Sequence, residues 1–397
     1  MSLRLKLFTL NSWGLPFPIV CKNRNERICA IGDFLLKSDF DIVVLEEIWV
    51  KSDFQTLKQK LQKNLPYSHY FYSGAIGSGL CVFSKYLIAE TSYHRYHLNG
   101  HAHKIFHGDW FGGKGVGLCK IHVEQCSLDI NFYCTHFHAE YNPDKDEYEA
   151  HRLAQAFELS QFIRNTFHGC DMAILAGDLN ITPSTLGYQI ITHHGHMRDT
   201  WTEKQNTVVN EAMGTCDVPG NTYTEKSGQN GERIDYILFR PKNYIKVEVA
   251  ECNIGIGKIP SANLSFSDHE AVMASLSITR TNDQHVKGNR HELSERVQEN
   301  LHESLIVIDK GKIQCKSEER FFQIVVVLLS LVLYILNNYI NMSDYNEGVV
   351  LSVTLATTKL LLALGIGFSV WTALIVKRAE LHGLEACKED IKKLLQL

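Results

Sequence analysis

The sequence predicts an α/β layered body followed by two membrane-crossing helices, and three observations carry that reading. Short apolar runs alternate with helical patterns through the first 280 residues. Several of those runs end in acidic residues or histidine, as do strands that deliver side chains to a site at their ends. Two long apolar stretches then close the chain, each long enough to cross a hydrocarbon core of roughly 30 Å.

The strands read in order are RLKLFTL (4–10), DIVVLEE (41–47), GLCVFSK (79–85), GVGLCKIHV (115–123), LDINFYCTH (128–136), MAILAGD (172–178), RIDYILF (233–239) and AVMASLSI (271–278). Helical patterns fall around 24–37, 52–63 and 144–166. No repeat of fixed period and no low-complexity segment interrupts them. The 397 residues suit one large domain or two ordinary ones. Lys and Arg number 40 against 44 Asp and Glu, and that balance leans against a nucleic-acid binder held by phosphate contacts. Eleven scattered cysteines without a CxxC pair argue against a disulfide framework or a zinc ribbon. The opening MSLRLKLFTLNSW alternates apolar and polar residues, so it reads as a first strand and not a signal peptide. A reducing compartment is expected for the body.

The tail divides by composition. Residues 1–280 form the expected catalytic body, 281–320 a polar juxtamembrane connector, 321–342 a first span, 349–376 a second, and 377–397 a cytosolic tail. In the connector Leu293, Val297, Leu301, Leu305 and Ile308 fall three to four apart, the spacing of one helical face, and packing against the body is expected for it. Basic residues flank the pair on its outer sides: Lys310, Lys312, Lys316 and Arg320 before it, Lys377 and Arg378 after. The turn SDYNEG between the spans has none. The positive-inside tendency therefore puts both ends in the cytosol. Lys359, inside the second stretch, is expected to snorkel towards the turn, and Cys315 is a candidate for lipidation.

The strand ends carry residues suited to phosphate chemistry. VVLEE delivers Glu46 and Glu47, FYCTH His136, MAILAGDLN Asp178 and Asn180, and FSDHE Asp268 and His269. Hard oxygen ligands suit Mg²⁺, and histidine near carboxylates is the usual way to hold a general base. Singly each signal has a bland reading: GDLN as a strand and turn, SDH as a cap, His136 as a structural histidine. The stretch HGDWFGGKGVG (107–117) offers Lys114, Trp110, Phe111 and five glycines, either as a substrate loop or as a hairpin. It lacks the order of a Walker loop. The histidines at 94, 97, 101, 103 and 107 and the HHGH at 193–196 read as exposed loop residues, because no cysteine pair or HExxH accompanies them.

As an ordered set these marks resemble the superfamily of deoxyribonuclease-like metal phosphodiesterases. They are LNSW with Asn11, LEE with Glu47, TH with His136, GDLN with Asp178 and Asn180, RIDY with Asp235, and SDH with Asp268 and His269. The resemblance spans residues 3–278 and implies a four-layer α/β sandwich, two facing sheets with helices outside. Within that superfamily LNSWGLP, VLEEIW, SGAIGSGLCVFSK, HGDWFGGKGVGL, THFHAEY and SDHEAVMASL, with the two-span tail, are similar to the neutral sphingomyelinases that end in a membrane hairpin.

The resemblance implies roles residue by residue. Glu47 binds Mg²⁺ with Asn11 supporting the metal or its waters, and His269 is the general base. Asp235 or Asp268 orients that base, Asp178 and Asn180 position water and phosphate, and His136 donates to a phosphoryl oxygen. Lys114, Trp110 and Phe111 meet the substrate. The implied activity is Mg²⁺-dependent hydrolysis of sphingomyelin to ceramide and phosphocholine, at the endoplasmic reticulum or plasma membrane and without a nucleic-acid partner. Ceramide phosphoethanolamine and choline lysophospholipids are related substrates. A nuclease or inositol-polyphosphate phosphatase is the first rival, opposed by the tail and the acidity. A catalytically inactive membrane scaffold is the second, opposed by the complete set of site residues.

Overall fold

The computed structural model describes residues 2–204, 214–224, 231–260, 262–281, 293–342 and 349–396. In chain order the strands are β1 (Ser2–Asn11), β2 (Ile42–Glu46), β3 (Tyr67–Tyr70), β4 (Cys81–Ser84), β5 (Leu87–Arg95) and β6 (Gly115–Val123). They continue with β7 (Leu128–His136), β8 (Met172–Asp178), β9 (Arg198–Asp199), β10 (Asp235–Pro241), β11 (Ile245–Ile254) and β12 (Val272–Arg280). The longer helices are α1 (Arg24–Lys37), α2 (Lys51–Leu61), α3 (Glu149–Thr166), α4 (Glu295–Met342), α5 (Val349–Trp371) and α6 (Lys377–Leu395).

Two six-stranded sheets form, in the orders β11-β12-β1-β2-β4-β3 and β5-β6-β7-β8-β10-β9. Side chains alternate along a strand, so each strand feeds two layers. Leu5, Leu7, Ile42 and Val44 of one sheet meet Ile130, Phe132, Ile174 and Ile237 of the other in the central core. Phe8, Leu10, Val43 and Leu45 point the opposite way, onto Ile28, Ile31 and Leu35 of α1 and Leu57 and Leu61 of α2. On the far side Tyr133, Ala173 and Leu175 pack beneath Ala156, Leu159 and Ile163 of α3. This is the four-layer sandwich that the family resemblance implies.

The tail differs from its expected division. No break separates connector from first span: α4 runs unbroken for 48 residues, about 72 Å at 1.5 Å per residue. Its first half docks on the body through Val297 and Leu301 against Leu153, Phe157 and Ile190, and through Ile308 beside Ala150 and Ala154. Its second half and α5 expose Ile324, Leu328, Leu331, Leu360 and Leu364, with no protein covering them. The connecting turn and its acidic residues lie outside the described residues. Beyond α5 the chain passes through a π-turn (Thr372–Val376) into α6, which returns to the body and buries Leu384 and Ile391. The segment read as a tail thus forms a docked helix. Cys315 is buried, its Sγ on the Lys377 carbonyl (3.2 Å), which removes it as a lipidation candidate.

Where α6 meets the body a buried charged cluster forms. Lys377 Nζ donates to Glu380 Oε2 (2.7 Å) and His101 Nδ1 (3.2 Å) and pairs with Glu318. The other oxygen of Glu380 lies 3.4 Å from His151 Nε2. His101 and His194 are buried and not exposed loop residues as expected: Glu380 of α6 lies against His101, and His194 stacks on Phe157 of α3.

Candidate active site

The apolar columns of the central core end in polar residues at one edge of the sandwich. In β1 the inward positions Leu5 and Leu7 continue as Thr9 and Asn11, and in β2 Ile42 and Val44 continue as Glu46. In the second sheet the same periodicity places His136, Asp178 and Asp235 inward. Register then aligns them: His136 pairs with Asp178 across β7 and β8, and Asp178 with Asp235 across β8 and β10. Gly177 permits that row. Its φ is +140°, and a Cβ there would stand 2.0 Å from the Thr135 carbonyl.

Asn11 joins the two sheets. Its Nδ2 donates to Asp178 Oδ2 (3.0 Å) and Glu47 Oε1 (3.2 Å), while its Oδ1 accepts from Trp13 N–H (3.0 Å). That last bond fixes the amide with its nitrogen towards the carboxylates. His136 Nε2 lies 3.3 Å from Asp178 Oδ2 and 4.0 Å from Glu47 Oε1, and its buried Nδ1 has no partner. Burial, with Lys114 nearby, holds His136 well below the usual histidine range, so it is neutral. Asn180, at φ +48°, donates its backbone N–H to Asp178 Oδ1 (2.9 Å) and its Nδ2 to the Phe137 carbonyl (3.1 Å).

His269 Nδ1 bonds Asp235 Oδ2 at 2.9 Å. That bond places the proton on Nδ1 and leaves Nε2 as the nitrogen able to act as a base. Burial disfavours the charged ring, but the Asp235 carboxylate and the Cys216 sulfur outweigh it and raise His269 well above its usual value. Asp268 instead accepts from Ser267 Oγ (3.0 Å), a hydroxyl that also bonds the Asn11 carbonyl (2.6 Å). Burial, partly offset by His269, raises Asp268. The pairing left open between the two aspartates thus falls to Asp235.

Glu46 and Glu47 divide at the end of β2. Glu46 is its last residue, fully buried between the sheets and accepting from Thr9 Oγ1 (2.7 Å). Burial, with Asp235 and Asp178 near, pushes it up to about 8, so this acid is neutral at pH 7. Glu47 lies past the strand at φ +59°, a left-handed turn that aims it into the cleft. Burial and the nearby Asp268 raise it too.

The 107–117 stretch is ordered. Lys114 is buried, with Nζ on Asp109 Oδ1 (2.9 Å) and on the Phe137 carbonyl (2.6 Å) that Asn180 also uses. Lys114 therefore belongs to the floor of the site. The rings of Trp110 and Phe111 meet edge to face at 5.0 Å. Asp109, His138 and Ser267 are site-adjacent residues that the sequence does not single out. HGD and FSD, read for their own polar residues, would have offered Asp109 and Ser267.

Glu47, Asp178, Asp235 and Asp268 converge here, with His269 as the partner of Asp235 and Lys114 committed to Asp109. Burial chiefly, with Asp235 adding to it, raises Asp178 to about 7. Asp235 Oδ1 is buried without a partner. An oxygen-rich, over-negative pocket with an orphaned carboxylate oxygen fits a divalent cation.

The fold and this site define a metal-assisted phosphodiesterase of the deoxyribonuclease-like type. Residues 8–269 match the Endonuclease/Exonuclease/phosphatase family, and the chain belongs to it, in its neutral sphingomyelinase branch. A Caenorhabditis elegans protein named as a neutral sphingomyelinase is 37% identical over 414 residues, covering 99% of this chain and 91% of the relative. Human sphingomyelin phosphodiesterase 2 is 42% identical over 299 residues, covering 74% of this chain and 70% of the relative. Among solved structures, a Staphylococcus aureus beta toxin with bound magnesium ions superposes with TM-score 0.51 at 20% identity, covering 68% of this chain and 99% of that one, and shares the fold.

Proposed function

We propose that the protein is a membrane-anchored, Mg²⁺-dependent sphingomyelin phosphodiesterase that leaves ceramide in the bilayer and releases phosphocholine. The observation that carries this reading is the His269–Asp235 pair beside an over-negative oxygen pocket, on a body welded to two apolar helices.

His269 takes the proton of the attacking water at Nε2, and Asp235 stabilises the imidazolium that results. Glu47 would hold the cation, with Asn11 fixing Glu47 and Asp178 through its amide N–H groups. The metal, when bound, supplies charge neutralisation at the phosphoryl group and at the departing alkoxide. Neutral His136 and Asn180 donate hydrogen bonds to phosphoryl oxygens, and Asp178 orients them. Lys114 keeps Asn180 and the chain after His136 in place, with Asp109 as its counter-charge. Asp268 adds negative charge beside Glu47. Trp110 and Phe111 border the lipid side of the cleft.

The two apolar stretches cross the bilayer, with the body and both hairpin ends on the cytosolic face of the endoplasmic reticulum or plasma membrane. Ceramide phosphoethanolamine and choline lysophospholipids are secondary substrates. The test is phosphocholine release from sphingomyelin in mixed micelles, with Mg²⁺ or EDTA, for the wild type and His269→Ala. Mg²⁺-dependent release lost in the variant supports the reading. Cleavage of inositol phosphates or DNA in place of sphingomyelin would overturn the lipid assignment.

A further inference from the structure

The segment from His101 to Lys114 is pinned at two points to the places where the hairpin meets the body. The His103 ring lies 5.1 Å from Phe322, at the start of the first apolar stretch. The Trp110 ring lies 5.9 Å from Trp371, at the end of α5, at 90°. Tryptophan at the end of an apolar span is the usual marker of the headgroup level. Between the two pins a single turn (Ile105–His107) carries Ile105, largely exposed, and Phe106, fully exposed. Its flanks are fixed: Lys104 pairs with Glu147, and the His107 ring stacks on Tyr141 at 3.9 Å. With both flanks tied to the body, the turn presents its two apolar side chains outward.

We propose that Ile105 and Phe106 form a lip that inserts into the leaflet nearest the body, beside the two spans, and seats the cleft on the bilayer. The occupant follows from continuity. Phe321, exposed next to Phe322, and Trp371 already belong to the apolar surface of the hairpin, and the lip extends that surface towards the cleft. Lipid is the one medium that covers α4, α5 and the turn together. The same segment carries Asp109 and Lys114, so a seated lip sets the height of the site above the headgroups. The inference rests on the reading of the apolar stretches as membrane spans.

The test uses the full-length protein in phosphatidylcholine–sphingomyelin nanodiscs. A fluorophore is placed at Phe106→Cys in a Cys29→Ser background, since Cys29 is the exposed native thiol among the described residues. Quenching of at least twofold by a lipid bearing a nitroxide high on its acyl chain, with protection from aqueous iodide, is the expected result. Quenching by iodide and not by the lipid would overturn the lip. So would shielding from both quenchers that appears only at high protein density, because a second copy would then cover the turn. Co-elution of protein with nanodiscs reports the hairpin separately, and neither readout depends on catalysis. A second variant, Ile105→Ser with Phe106→Ser, should raise KM for bilayer sphingomyelin about tenfold and leave hydrolysis of a monomeric short-chain sphingomyelin unchanged. Equal loss on both substrates, or loss on neither, refutes the proposal.

Discussion

Replacing Asp235 with asparagine keeps the side chain's shape and removes the charge that faces His269 Nδ1 at 2.9 Å. A hydrogen bond to a charged group is worth about 1.5–3 kcal/mol, so losing it in the transition state lowers kcat about 10- to 150-fold. The pH profile carries the sharper signature. In the wild type Asp235 stabilises the imidazolium against the effect of burial, which raises His269 and keeps it protonated and unable to accept a proton at low pH. Without that carboxylate His269 titrates lower, and the acid limb of the rate profile moves to lower pH. Asp178 shifts the same way. Burial is the larger cause of its position near 7, but Asp235 also contributes, and that contribution disappears. The assay is kcat against pH on detergent-dispersed sphingomyelin at saturating Mg²⁺. An activity within threefold of wild type with an unmoved limb, or a limb moved upward, would refute the assignment of Asp235 as the partner of the base.

Three further outcomes are expected. Glu46, at about 8 in the folded protein against 4.5 ordinarily, binds a proton that the unfolded chain releases, so it costs stability progressively from pH 4.5 to 8. Glu46→Gln lacks that slope, and the difference in Tm between variant and wild type should rise across this window and flatten above pH 8, as read by thermal scans. Saturating Mg²⁺ should raise the Tm of the EDTA-treated protein, by the equivalent of about 2.7 kcal/mol at a hundred times Kd, and Glu47→Gln should reduce that gain; an unchanged Tm would count against a cation in the pocket. Lys377→Met leaves Glu380 and Glu318 buried without their cation and should destabilise the docked tail by about 3–5 kcal/mol, measured as thermal inactivation in nanodiscs. The triple change with Glu380→Gln and Glu318→Gln should recover much of the loss.

The residues that were hard to read share a physical cause. β3, β5, β9 and β11 have no counterpart among the apolar runs of the sequence, and they are the four edges of the two sheets. Edge strands are half solvated, so β5 (LIAETSYHR) and β11 (IKVEVAECNI) carry polar residues where the inner strands carry unbroken apolar runs. The inner strands, buried on both faces, were legible within a few residues. In the site, periodicity told little about Glu46 and Glu47, because Glu47 leaves the strand in a left-handed turn that no pattern announces. The Asp235–His269 pairing depends on how β10 lies against β8, a relation between distant segments. His101, Lys377 and Glu380 lie up to 279 positions apart, and their cluster exists only because α6 folds back on the body.

On the reading that the apolar stretches cross the bilayer, the unbroken course of α4 from the body into the first of them decides how this molecule searches. A catalytic head on a slack tether sweeps a disc of membrane around its root; a head on a rod does not. Lipids must instead diffuse to a fixed gate beside the anchor, so turnover follows the two-dimensional density of sphingomyelin and its lateral mobility. Each ceramide is released at the same spot, and the anchor's own neighbourhood becomes the first region of the bilayer whose composition changes.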